Sequence, residues 1–96
     1  MTDFRDVPSQ NRFEQGFTGT DGEMARVWAD YATQGDTRVI LHVDADASLR
    51  GSGAAGQFMQ DMTEHVRDRG LKVRPVCSYA VVWYRRHPQA QDVLAA

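Results

Sequence analysis

The apolar pattern of this chain changes period at one place, and a glycine-rich turn marks the change. From Met24 to Ala32, Ala25, Val27, Ala29 and Tyr31 share one face; from Thr37 to Asp46, Val39, Leu41 and Val43 alternate with Ile40, His42 and Asp44. From Ala54 to Arg69 the repeat is helical, with Ala55, Phe58, Met59, Met62 and Val66 on one stripe and Gln57, Gln60, Asp61, Glu64 and Asp68 away from it. Between the two lies Leu49-Arg50-Gly51-Ser52-Gly53-Ala54-Ala55-Gly56. A strand that passes into a helix through glycines suits a phosphate group. The first helical N–H groups lack internal partners, and residues without a Cβ let an anion approach the backbone.

The remaining punctuation completes a mixed sheet. Arg12 to Thr18 pairs with Met24 to Ala32 through Thr20-Asp21-Gly22, and Gln34-Gly35-Asp36 turns the chain into the third strand of a meander. Gly70 stops the helix, Leu71 to Val76 is a short strand, and Ser78 caps a second helix from Tyr79 to Arg86, before Pro88. Strand, helix and strand in this order predict a parallel pair with a right-handed crossover, whose ligands sit at the carboxyl ends of the strands. Pro75 lacks a ladder donor, so pairing is expected to fail near it. Residues 1–10, polar and holding Pro8, are expected to form a flexible lead-in, and residues 11–96 one domain without repeats.

With 42% hydrophobic and 25% charged positions, 96 residues build one core. A net charge of -2, from 11 basic and 13 acidic residues, argues against a general nucleic-acid binder. Arg67, Arg69, Lys72, Arg74, Arg85 and Arg86 read as a solvated face. The single cysteine, Cys77, excludes an internal disulfide and a Cys-rich zinc site, and fits a reducing cytoplasm. The longest apolar run, Tyr79 to Tyr84, is far short of a membrane span, and no signal peptide is visible. A soluble monomer or weak dimer without metal is expected.

The turn Arg50-Gly51-Ser52-Gly53-Ala54-Ala55 resembles the RxxGxG/A pyrophosphate signature of the GNAT superfamily of N-acetyltransferases. Further residues are similar to its small YjdJ-type branch. They are Arg12-Phe13-Glu14, Asp21-Gly22, Tyr31, Ile40-Leu41-His42 and Asp44, then Leu49-Arg50-Gly51, Arg69-Gly70-Leu71-Lys72-Val73, Pro75, Cys77 and Arg86-His87-Pro88. The resemblance implies a compact GNAT-like α+β fold. Its mixed sheet joins an antiparallel three-strand meander to a parallel strand after a helical crossover, with two main helices. It also implies acetyl transfer from acetyl-CoA, entering where two parallel strands splay apart, to an amine acceptor. A non-catalytic acyl-CoA-binding or interaction module is the alternative. Gly51-Ser52-Gly53-Ala54-Ala55-Gly56 also spells a dinucleotide fingerprint, but the expected acid is missing between Asp68 and Asp92.

Several side chains are candidates for the chemistry. Arg50, Gly51, Ser52, Gly53, Ala54 and Ala55 are the cofactor-binding set. Three charge-assisted hydrogen bonds there contribute roughly 5–9 kcal/mol, so the turn anchors a carrier that other contacts must complete. Cys77, at the start of the second helix, is a nucleophile, a lining residue or a buried apolar cysteine. His42 and Asp44, two apart on a strand, face the same side and flank an acceptor, or else His42 is structural. Asp44 stands where the branch has glutamate, and Trp83 where many GNAT enzymes have a tyrosine acid. Tyr79, Trp83 and Tyr84 are expected in the core, His65 in solvent, and His87 at a helix end.

Overall fold

The computed structural model describes residues 3–96. Five strands form one sheet in chain order: β1 (Arg5–Val7), β2 (Arg12–Thr18), β3 (Met24–Gln34), β4 (Thr37–Ala45) and β5 (Lys72–Pro75). The first four are antiparallel neighbours, and β5 runs parallel to β4 after the helical crossover α1 (Ala54–Asp68). A second helix, α2 (Ser78–Arg85), leads to a 3-10 segment over Pro88–Val93, after which Leu94 makes a parallel bridge to Val73. No helix among the described residues is long and apolar enough to cross a membrane.

One core fills the space between the sheet and the helices. Phe13, Val27, Ala29, Tyr31 and Ile40 from the strands meet Phe58, Met59, Met62 and Val66 of α1, and Ala80, Trp83 and Tyr84 of α2. Thr63 of α1 and Tyr84 of α2 are hydrogen-bonded at 2.8 Å, so both helices lie on the same face. Right-handed crossovers taken in one direction along a sheet produce this arrangement. The other face carries Arg12, Glu14, Arg26, Trp28, Asp30, His42 and Asp44, and neither helix of the described residues lies over it.

The meander, the long helix and the parallel pair match the sequence pattern, and four local features depart from it. First, the lead-in expected over residues 1–10 contains β1, in which Arg5 pairs with Glu14 and Val7 with Arg12. Phe4 just before it packs against Phe13 and Phe58, a long-range apolar contact that holds the segment down; residues 1–2 of the expected lead-in lie outside the described residues. Second, β4 does not alternate throughout. Asp30 pairs with His42 but Tyr31 with Ile40, leaving Leu41 as an extra residue in a β-bulge. Third, Asp61 is buried, because its carboxylate accepts hydrogen bonds from Gln15 Nε2 at 2.7 Å and Gln57 Nε2 at 3.1 Å. Fourth, Cys77 and not Ser78 occupies the N-cap of α2, without a side-chain capping bond.

Candidate active site

The glycine turn follows β4 directly. A single 3-10 turn over Ala47–Leu49 buries Leu49 as an anchor, and Gly51 and Gly53 then take φ of 74° and 83°, the left-handed region that glycine enters without strain. The β2–β3 loop braces the turn: both the N–H and the hydroxyl of Thr20 donate to Ser48 O. A Cβ at Gly19 would lie 2.6 Å from Ser48 Oγ, so only glycine allows this approach.

Ser52 is committed within the turn. Its hydroxyl donates to Leu49 O at 2.6 Å and accepts the Ala54 N–H at 3.2 Å, while its own N–H donates to Leu49 O. The N–H groups of Gly51, Gly53, Ala55 and Gly56 have no acceptor among the described residues. Cβ atoms built on Gly51, Gly53 and Gly56 would meet nothing within 4 Å, so open space adjoins that backbone. A hollow of about 270 Å³ beside it is lined by Phe17, Thr18, Leu49, Ser52, Gly53, Ala54 and Gln57. Arg50 is exposed at the turn, close enough to Asp44 to favour its ionised form. A diphosphate fits these groups: unpaired donors at a helix start, side-chain-free approach and one guanidinium.

The parallel pair parts where Pro75 stands. Ladder partners run from Thr37/Lys72 to Ile40/Pro75 and stop, and the Val76 and Cys77 N–H groups both donate to Ile40 O, at 3.0 and 3.1 Å. Beyond the bulge, β4 is paired only with β3. The backbone of half-buried Cys77 is thus fastened to the residue before the bulge, at the mouth of the gap. Leu41, Val76, Tyr79 and Val82 are exposed apolar side chains from the elements that border it. Tyr79, expected in the core, is 40% exposed; partial burial and the nearby Cys77 sulfur raise its phenol above the ordinary value. Trp83 and Tyr84 are buried as expected, and burial pushes the Tyr84 phenol up to about 12.

His42 and Asp44 lie on the uncovered face, His42 Nε2 3.4 Å from Asp44 Oδ2, both exposed. The Ala45 N–H and then His42 hold the Asp44 carboxyl below its usual range. A carboxylate so held attracts an ammonium group better than it removes a proton at neutral pH. His65, expected in solvent, is half-buried against Phe4 and Phe13, and its Nε2 has no partner among the described residues. His87 stacks on Trp83 and bonds to Trp83 O, as a helix-ending contact does. A cavity of about 540 Å³ lies elsewhere, between Asp3, Arg5, Glu14, Met24 and Arg26. Among the described residues, no three His, Cys, Asp or Glu side chains group as metal ligands. Trp28, on the uncovered face opposite Asp44, is the feature sequence reasoning missed, since only strand register brings the two together.

Comparison with known proteins agrees with this architecture. No curated protein matches the chain. The NMR solution structure of a GCN5-like candidate N-acetyltransferase from Staphylococcus aureus has the same fold, with a TM-score of 0.67 at 22% identity over 97% of this chain and 87% of that one. The sequence model of the GCN5-related N-acetyl-transferases matches residues 12–93. Sheet, crossover, glycine turn and family match coincide over nearly the whole domain, and the chain belongs to the GCN5-related N-acetyltransferase family.

Proposed function

We propose that the protein transfers an acetyl group from acetyl-CoA to an amine. One arrangement carries this reading: the unpartnered N–H groups of Gly51, Gly53, Ala55 and Gly56 at the carboxyl end of β4, beside a strand pair that parts at Ile40 and Pro75. Gly51, Gly53, Ala55 and Gly56 cradle the diphosphate through the backbone, Ser52, bonded to the Ala54 N–H, holds the turn in shape, and Arg50 adds a charged contact. The gap admits the pantetheine arm, with Leu41, Val76 and Val82 as apolar walls.

Cys77 is the nucleophile of this proposal. Its thiolate attacks the thioester carbonyl, forming a carbon–sulfur bond as the bond to the CoA sulfur breaks, and Tyr79 protonates the departing thiolate. The acceptor amine then attacks acetyl-Cys77, and the thiolate is regenerated as the amide forms. An amine of ordinary basicity is mostly protonated at pH 7, a penalty of roughly 4–5 kcal/mol. Asp44 draws the ammonium in, His42 takes the proton that frees the amine, and the Tyr79 phenolate takes the second proton, lost from nitrogen as the amide forms. One chain carries every group involved, so a monomer suffices, and a reducing cytoplasm keeps the thiol free. The test is acetyl-CoA turnover against a panel of amines: amine-dependent CoA release is expected. CoA binding without release for any amine would make the chain a carrier module instead.

A further inference from the structure

The uncovered sheet face has a chemistry of its own. Ladder pairing sets its side chains in rows: Arg12, Asp30 and His42 in one, Glu14, Trp28 and Asp44 in the next. In the third, the Arg26 N–H donates to Asp46 Oδ2 at 2.8 Å. Trp28 is the aromatic at the centre of this grid, half-buried, on the floor of a hollow of about 240 Å³ lined by Arg12, Glu14, Arg26, Trp28 and Asp46. Directly opposed side chains in an antiparallel pair are neighbours, so the indole adjoins Asp44.

The chain already places a cation there. The Arg12 guanidinium lies 5.5 Å from the centroid of the Trp28 ring, while Arg12 Nε donates to Asp30 Oδ1 at 3.1 Å. Arginines also pair with Glu14, Arg5 at 2.9 Å and Arg26 at 3.6 Å. Asp44 and Asp46 have no Lys or Arg at ion-pair distance among the described residues. An aromatic face that holds a guanidinium, next to two carboxylates left without such a partner, is complementary to a second positive charge.

We propose that the acceptor binds on this face and is an amine carrying a second cationic group. Its reacting nitrogen sits at Asp44 and His42, and the other ammonium or guanidinium rests on Trp28 beside Asp46, replacing or stacking on Arg12. This rests on the transferase reading and names its substrate class. A singly charged amine gains only the Asp44 contact.

The test uses the full chain with agmatine and, as the singly charged control, n-butylamine. Titrating agmatine without acetyl-CoA is expected to move the Trp28 indole N–H resonance, identified with Trp28→Phe, and not that of Trp83; n-butylamine moves neither. At saturating acetyl-CoA, Trp28→Ala is expected to raise the agmatine KM about tenfold and leave the acetyl-CoA KM unchanged, with Trp28→Phe in between. Arg12→Ala, by removing the resident cation, is expected to lower the agmatine KM about threefold, a gain that a structural role does not produce. An unmoved Trp28 resonance, an unchanged agmatine KM in Trp28→Ala, or equal responses to the two amines would overturn the proposal. Loss of the transferase reading shows separately, as absent CoA binding or release, and leaves the indole titration readable.

Discussion

Thr63 and Tyr84 join the two helices through a buried 2.8 Å hydrogen bond, which turns the Tyr84 phenol into the core and away from the strand gap. The exposed tyrosine beside Cys77 is Tyr79. Tyr84→Phe is therefore expected to lower stability by about 1 kcal/mol, or Tm by about 4–8 °C, and to leave kcat unaltered. Tyr79→Phe is expected to lower kcat at constant Tm. Calorimetry alongside a CoA-release assay reads both, and the opposite pattern would reassign the proton donor.

Gly53 holds φ of 83°, and a Cβ built there meets no atom within 4 Å. Gly53→Val therefore acts through backbone strain of about 1–2 kcal/mol, and by closing the approach to its own N–H. Wild-type protein at CoA concentrations near 100 times Kd is expected to gain roughly 2.7 kcal/mol, a shift of several degrees. The variant is expected to fold and to lose that shift. A folded Gly53→Val that still responds to CoA would remove the turn from the binding site.

Cys77 can be tested by mass. After incubation with acetyl-CoA, intact protein is expected to carry one acetyl group that hydroxylamine removes, and Cys77→Ala none. Cys77→Ser turning over at the wild-type rate, with no adduct on the parent chain, would mean direct transfer past a lining cysteine.

The half-buried imidazole of His65 sets an acid limit on stability. Packing against Phe4 and Phe13, and then Arg69, hold its pKa below the usual value, against the pull of Asp6 and Asp68. The unfolded chain thus binds this proton more readily than the folded one. The stabilisation is complete above a pH of about 6.5 and is lost as pH falls from there towards the folded pKa. Tm is expected to drop between pH 7.5 and 5.5, and His65→Leu to flatten the drop. A wild-type profile already flat over that window would mean the ring titrates freely.

Period alone made the meander, α1 and the crossover legible, because those segments bury one face each. What escaped depends on partners far along the chain. Asp61 looks like a solvent-side helix residue until Gln15, 46 positions away, is seen to bond it. His65 looks exposed until Phe4 closes over it, and β1 is invisible without its ladder to β2. For the site, the glycine turn was readable from residue type and position, and Cys77 from its place after β5. Trp28 was not, because a lone aromatic among charged residues acquires meaning only from the strand alongside.

The extra residue at Leu41 has an effect out of proportion to its size. Tyr31 and Ile40 look into the core, and strict alternation from there would turn His42 and Asp44 inward after them and set Val43 and Ala45 facing water. The bulge reverses that parity, so a hydrophobic strand becomes a polar one halfway along without any change of neighbour. Deleting Leu41 would join Ile40 opposite Tyr31 to His42 opposite Asp30 in an unbroken ladder, so His42 and Asp44 would still face outward, while the kink and the exposed apolar side chain bordering the strand gap would be lost.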